Sequence, residues 1–263
     1  MTPGVTLSHT FVVSSDNHDW NCWGDGRGCL GSPDVITLPE GMGSAYSKWA
    51  SYIYGQGEGQ RNDGARSLVV AGLHERYDGV CHNAANRILV LAGPGVNVWQ
   101  APINAVVILM YGKYGFNISQ YIQSVREAAA KVNAEEPGSI TQAEVDAVVA
   151  SISGGATDEA NILDNDILRS HFNDHLSVQG LSADQLEKLM QIYVQFQNER
   201  QAKFADAESW SPQPPDFQVR YGVSMKPVLI DCLGQMKNVL GESTYSAIFA
   251  ALPEQAAGFL LQG

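Results

Sequence analysis

The stretch that decides the reading is Tyr77-Asp78-Gly79-Val80-Cys81-His82-Asn83-Ala84-Ala85-Asn86-Arg87-Ile88-Leu89-Val90-Leu91-Ala92-Gly93. Asp78-Gly79 is a turn signal. The Ala- and Leu-rich run after it predicts a helix over residues 81–92, and Gly93-Pro94-Gly95 predicts its end. Cys81 then falls at the helix N-terminus. There the unpaired backbone N–H groups and the positive end of the helix dipole favour a thiolate. A thiolate is the form that attacks carbonyl carbon. The stretch therefore raises a chemical expectation, Cys81 as a nucleophile.

Upstream, Val5–Val13 is rich in β-branched and aromatic residues and predicts a strand. Ser14-Ser15-Asp16-Asn17 is a turn cluster, and His18–Trp23 returns as a second strand. Such a hairpin places His9 and His18 close to opposite one another. An imidazole can take a thiol proton while a second polar group holds its tautomer. His9 is thus the expected general base and His18 its orienting partner. His82 adjoins Cys81, but adjacent helical residues point about 100° apart, which makes it a pocket wall instead. Arg87 is placed to bind a carboxylate of the protein or a substrate. Asn83 is expected on a solvated face. Trp20 and Trp23 either belong to the core or line a substrate groove.

The pattern Cys81-x-x-x-Ala85-x-Arg87-x-Leu89, closing with Ala92-Gly93, is similar to the cysteine-bearing helix of circularly permuted NlpC/P60 (papain-like) enzymes, which include the lecithin:retinol acyltransferase-like proteins. The resemblance covers residues 5–95. It implies a strand histidine ahead of the cysteine, a small antiparallel sheet under the cysteine helix, and catalysis through an acyl-enzyme. The Asp-Gly-x-Cys start also resembles the nucleophile helix of transglutaminase and protein-glutaminase folds. Those place the histidine after the cysteine, so the upstream His9 and His18 favour the permuted order.

The remaining chain changes texture at residue 118. Before it come a Gly-rich loop over 24–34, a helix over 44–54 with Ser44 as N-cap, and a strand at Ser67–Ala71. Gly55-Gln56-Gly57-Glu58-Gly59 lacks the spacing of a dinucleotide fingerprint. After it come helices over 118–133, from Thr141 with Glu144 as a capping box, over 157–176, and from Ser182 to about residue 205. The last of these carries Leu186, Leu189, Met190, Tyr193 and Phe196 on one face. Pro212-Gln213-Pro214-Pro215 predicts a stiff linker, and residues 225–240 and 243–251 predict two closing helices.

Charge and cysteine content narrow the classes. The net charge is −12 over 263 residues. Residues 1–120 carry 9 acidic and 7 basic residues, whereas residues 121–263 carry 19 and 9. With no basic cluster, nucleic acid and anionic membranes are poor partners. Four cysteines without a basic n-region or apolar h-region at the N-terminus predict neither a disulfide framework nor a secretory signal, and a cytoplasmic location is the default. His18, Cys22 and Cys29 are metal-ligand types without a standard spacing, and His171 and His175 lack the Glu of a zinc-protease motif, so neither a metal nor a cofactor is expected.

The expected architecture is α+β. Residues 1–117 form a papain-like catalytic half with a small antiparallel sheet, and residues 118–263 form a mostly helical half. The expected function is a cysteine-dependent amide or ester hydrolase or acyl transferase acting on a peptide or small-molecule amide or ester. Cys81, His9 and His18 are its catalytic residues, and Trp20, Trp23, His82 and Arg87 its substrate-binding residues. Two alternatives accompany it. One is a transglutaminase-like enzyme. The other is a non-catalytic binding module with Cys81 in the core, which meets its ligand at the Trp-rich loop 20–23. The acidic helical half is a scaffold or the docking surface for a protein partner.

Overall fold

A computed structural model describes residues 12–13, 19–20, 43–54, 69–70, 73–74, 79–93, 111–115, 118–153, 172–173, 176–177, 179–210, 217–249 and 251–260. The chain divides into two compact units, Met1–Val98 with Tyr114–Leu163, and Trp99–Lys113 with Asp164–Gly263.

Among the described residues of the first unit are four helices: α1 (Gly43–Tyr54), α2 (Cys81–Leu89), α3 (Ile118–Glu135) and α4 (Gln142–Ile152). In α3 the buried residues are Ile118, Tyr121, Ile122, Val125, Ala128, Ala129 and Val132, the spacing of a single apolar face. That face packs on α1, where Trp49 is fully buried and its indole Nε1 donates to the Val125 carbonyl at 2.9 Å. Truncating a buried tryptophan to alanine typically costs roughly 3–5 kcal/mol, so this contact is a main fastening of the unit. Lys48 of α1 ties to Glu136 at 2.5 Å, and the Tyr46 hydroxyl donates to Glu144 of α4 at 3.0 Å.

The turn from α3 to α4 is closed locally. Asn133 Nδ2 donates to the Ile140 carbonyl at 2.6 Å, and the Ile140 amide donates to Asn133 Oδ1 at 2.9 Å. Gly138 sits at φ 82°, where a side chain would be strained. Thr141 and Glu144 then form the expected capping box: the Thr141 amide donates to Glu144 Oε2 at 2.6 Å, and the Glu144 amide donates to Thr141 Oγ1 at 3.2 Å.

Strand structure among the described residues amounts to two separate antiparallel pairs of two residues each. β1 (Val12–Val13) pairs with β2 (Asp19–Trp20), Val12 facing Trp20. β3 (Val69–Val70) pairs with β4 (Leu73–His74). The α+β expectation, the papain-like resemblance and its NlpC/P60 assignment are overturned by this. That fold needs a continuous antiparallel sheet beneath the cysteine helix, and the described residues are nearly all helical. The described residues of the β-branched runs that suggested strands, Val12–Val13 and Val69–Val70, lie in these short ladders. The apolar surface of α2 is covered largely by helices instead, with Ala84, Ile88, Val90 and Leu91 in one core with α1, α3 and α4.

The second unit is built from α5 (Ala183–Glu208), α6 (Phe217–Leu240), α7 (Glu242–Phe249) and α8 (Pro253–Leu260). Ser182 and Gln185 cap α5 as the sequence predicts. Its stripe of Leu189, Met190, Tyr193 and Phe196 is buried, with Leu186 half-buried at its start, and Tyr193 stacks on Phe172 at 4.3 Å. α5, α7 and α8 all pack on α6, whose buried face is Tyr221, Met225, Leu229, Cys232, Leu233, Met236 and Leu240. No helix among the described residues is long and apolar enough to cross a membrane.

Candidate functional site

Cys81 is the first residue of α2, and its side chain is half-buried. The helix opens without a side-chain oxygen at its cap, Val80. In compensation, Asn83 Oδ1 turns back to accept the Val80 amide at 3.0 Å, and the Asn83 and Ala84 amides both donate to the Val80 carbonyl. This corrects the expected solvated Asn83, which is fully buried. The helix ends through a 3-10 turn at Val90–Ala92 and then Gly93 at φ 141°, where the sequence placed its terminator.

His82 Nδ1 lies 3.5 Å from Cys81 Sγ, nearer than divergent Cα–Cβ directions suggest. Both atoms stand close to the backbone, Sγ at the γ position and Nδ1 at the δ, so a small rotation of each side chain closes the gap. The imidazole is buried against the helix start.

Arg87 is fully buried on the inner side of α2. Its Nε donates to the Tyr114 carbonyl at 2.6 Å, and its guanidinium carbon lies 4.7 Å from the centre of the Tyr121 ring. The Tyr121 hydroxyl donates back to the Arg87 carbonyl at 2.7 Å. Desolvation by burial holds the Tyr121 phenol protonated far above its ordinary range. These contacts put Arg87 to architectural use, joining α2 to α3. Trp20 is buried as well, its Nε1 donating to Ser51 Oγ of α1 at 3.3 Å. His9, His18 and Trp23 lie outside the described residues, as do Cys22, Cys29, His171 and His175.

The acyl-enzyme expectation therefore does not stand, and the thiol hydrolase, acyltransferase and transglutaminase-like readings fall with it. The described residues hold neither the sheet that presents a base to the cysteine nor a cluster of three or more His, Cys, Asp or Glu residues that could hold a metal ion. What they place beside Cys81 is a buried imidazole on the same helical turn.

A different surface stands out in the second unit, on the outer side of α6. Val219 and Val223 are 43% and 59% exposed, and they lie one turn apart. Ile230, half-buried, continues the same row two turns on. Arg220, Lys226 and Pro227 are exposed around them. The Arg220 guanidinium carbon sits 4.3 Å from the Trp210 ring centre. α6 carries no acidic residue before Asp231, in a half of the chain where acids outnumber bases two to one. Pro227 lacks an amide proton, so the Val223 carbonyl loses its intrahelical donor. Sequence reading took this helix to begin near residue 225 and missed the row. The signal available was the spacing of Val219, Val223 and Ile230 across the proline.

Comparison of the chain with protein-family models, with curated proteins and with solved structures gave no match.

Proposed function

We propose that this chain is a helical partner-binding module that engages another protein through the outer face of α6. The observation that carries the reading is the exposed pair Val219 and Val223. They lie on the side of α6 turned away from the face that packs on α5, α7 and α8. An isolated exposed valine is ordinary, but apolar residues at helical spacing on one face form a row that a second helix can cover. Covering such a row gains roughly 25 cal/mol for each Å² of apolar surface removed from water. The acidic remainder of the surface favours solubility and contributes little to the contact.

The test is a selection from a displayed library of helical peptides on the full chain, with the V219Q/V223Q variant as counter-target. Glutamine keeps helix propensity and removes the apolar surface. Recovery of peptides that bind the wild type and not the variant supports the module. If every recovered peptide binds both proteins alike, the α6 face is not the docking surface.

A further inference from the structure

We infer that the occupant of this face is an acidic amphipathic helix of a partner protein. The inference rests on the partner-binding reading and adds the chemistry of the partner.

The argument is positional. On a helix turning 100° per residue, Val219, Ile230 and Val223 fall within about 40° of each other, a narrow straight seam. Lys226 falls just to one side of that seam and Arg220 further out on the other. Both are exposed. When two helices pair along an apolar seam, the charges flanking it face the charges flanking the partner's seam and set partner choice. Two flanking cations with no acid on α6 before Asp231 select carboxylates opposite.

The same arrangement disfavours other occupants. A second copy pairing α6 on α6 would bring Arg220 and Lys226 against their own counterparts, and like charges across an interface work against it. A nucleic acid would meet Arg220 and Lys226 on a chain of net charge −12, the third cation of α6, Lys237, being paired with Glu242 at 3.4 Å. The seam from Val219 to Ile230 spans eleven residue steps, about 16 Å at 1.5 Å each, which suits a partner helix of three to four turns.

Arg220 and Lys226 are exposed, so changing them leaves the α6 core face untouched. The experiment takes the helical peptides selected on the full chain and reads their composition and binding by fluorescence anisotropy. The expected result is peptides with apolar residues at i, i+4 and i+7 or i+11 and an excess of Asp and Glu beside them. Their binding should weaken about tenfold for the R220E/K226E variant and weaken with added salt. Peptides lost on V219Q/V223Q but without acidic excess, and indifferent to R220E/K226E, would overturn the acidic partner while leaving the docking face standing. Peptides indifferent to both variants would overturn the docking face itself. A chain that sediments as a dimer, and as a monomer only after V219Q/V223Q, would assign the face to a second copy and overturn the acidic partner. Circular dichroism of each variant confirms that the helices are retained.

Discussion

Arg87 and Tyr121 hold each other from two directions. The guanidinium lies over the Tyr121 ring at 4.7 Å, while the Tyr121 hydroxyl donates to the Arg87 backbone carbonyl at 2.7 Å. Both residues are fully buried. The Tyr121→Phe variant keeps the ring and deletes the bond, leaving a buried carbonyl one partner short. It should lower unfolding free energy by about 1–2 kcal/mol in urea denaturation. Tyr245 offers the internal contrast. It is equally buried, but its hydroxyl finds no hydrogen-bond partner among the described residues. The Tyr245→Phe variant removes a desolvated polar group and should be neutral or stabilising, by up to about 1 kcal/mol. Equal losses for the two variants would contradict this account of the cores.

Alkaline pH should unfold the protein through its buried tyrosines. Burial, aided by the carboxylate of Glu144, pushes the Tyr46 phenol up to about 12. Burial pushes Tyr114 to about 12 as well, and Tyr121, Tyr193 and Tyr245 are shifted in the same direction. These groups hold their protons in the folded state longer than in the unfolded chain, where they ionise near 10. The unfolded state therefore binds fewer protons above that pH, and stability falls as pH rises from about 10 through 12. Tyrosinate absorbance followed beside circular dichroism should show these phenols ionising together with loss of helix. Ionisation of all ten tyrosines near pH 10 with the helices intact would be the contrary result.

The acid limb has the opposite sign. Hydrogen bonds from Thr141 hold the Glu144 carboxyl below its usual range, and the Lys48 ammonium does the same for Glu136. Their contribution is present above about 4.5, the ordinary value, and is lost as pH falls through the lowered one. Both residues are only half-buried, so solvent screening keeps the effect modest. The Glu144→Gln variant should show a flatter fall in melting temperature below pH 4.5 than the wild type. An unchanged acid profile would remove Glu144 from that role.

Thiol access should separate the two described cysteines. Burial, with Asp231 and Glu199 adding to it, pushes the Cys232 thiol far above the ordinary thiol range, and its side chain sits in the core of the second unit. Cys81 is half-buried at the start of α2. Iodoacetamide with site mapping by mass spectrometry should label Cys81 in the native protein and Cys232 only after unfolding. Native labelling of Cys232 at the rate of Cys81 would contradict the burial of α6.

The helices were legible where local chemistry fixes their ends. Thr141 with Glu144, Ser182 with Gln185, and Gly93 ahead of Pro94 each mark a terminus that the structure reproduces. The stripe on α5 follows from its period. α6 was read short, from residue 225 although already across Pro227, which lies on the exposed side of a helix whose opposite face is held by seven buried apolar residues. α8 was overlooked although Pro253 suits a first helical position and Gln255 returns its side chain to the Leu252 amide at 3.0 Å. The larger error came from Cys81. A cysteine at a helix start carries no information about what packs beneath it. Burial of Arg87 and Asn83, and the bond from Trp49 to Val125, depend on residues distant in sequence, which periodicity does not reveal. The site reading leaned on a hairpin of two strands, Val5–Val13 and His18–Trp23. β-branched content signals a preference for a pleated, half-buried surface, and the described residues supply no broad sheet to provide one.

The central claim, a docking face on α6, is tested most directly by the affinity of one wild-type-selected helical peptide for the full chain and for V219Q/V223Q, measured by fluorescence anisotropy. Both valines are exposed, so the substitutions should leave the unfolding free energy within about 0.5 kcal/mol. The account predicts that affinity falls at least about tenfold while the melting temperature holds. Unchanged affinity in a folded variant would contradict it.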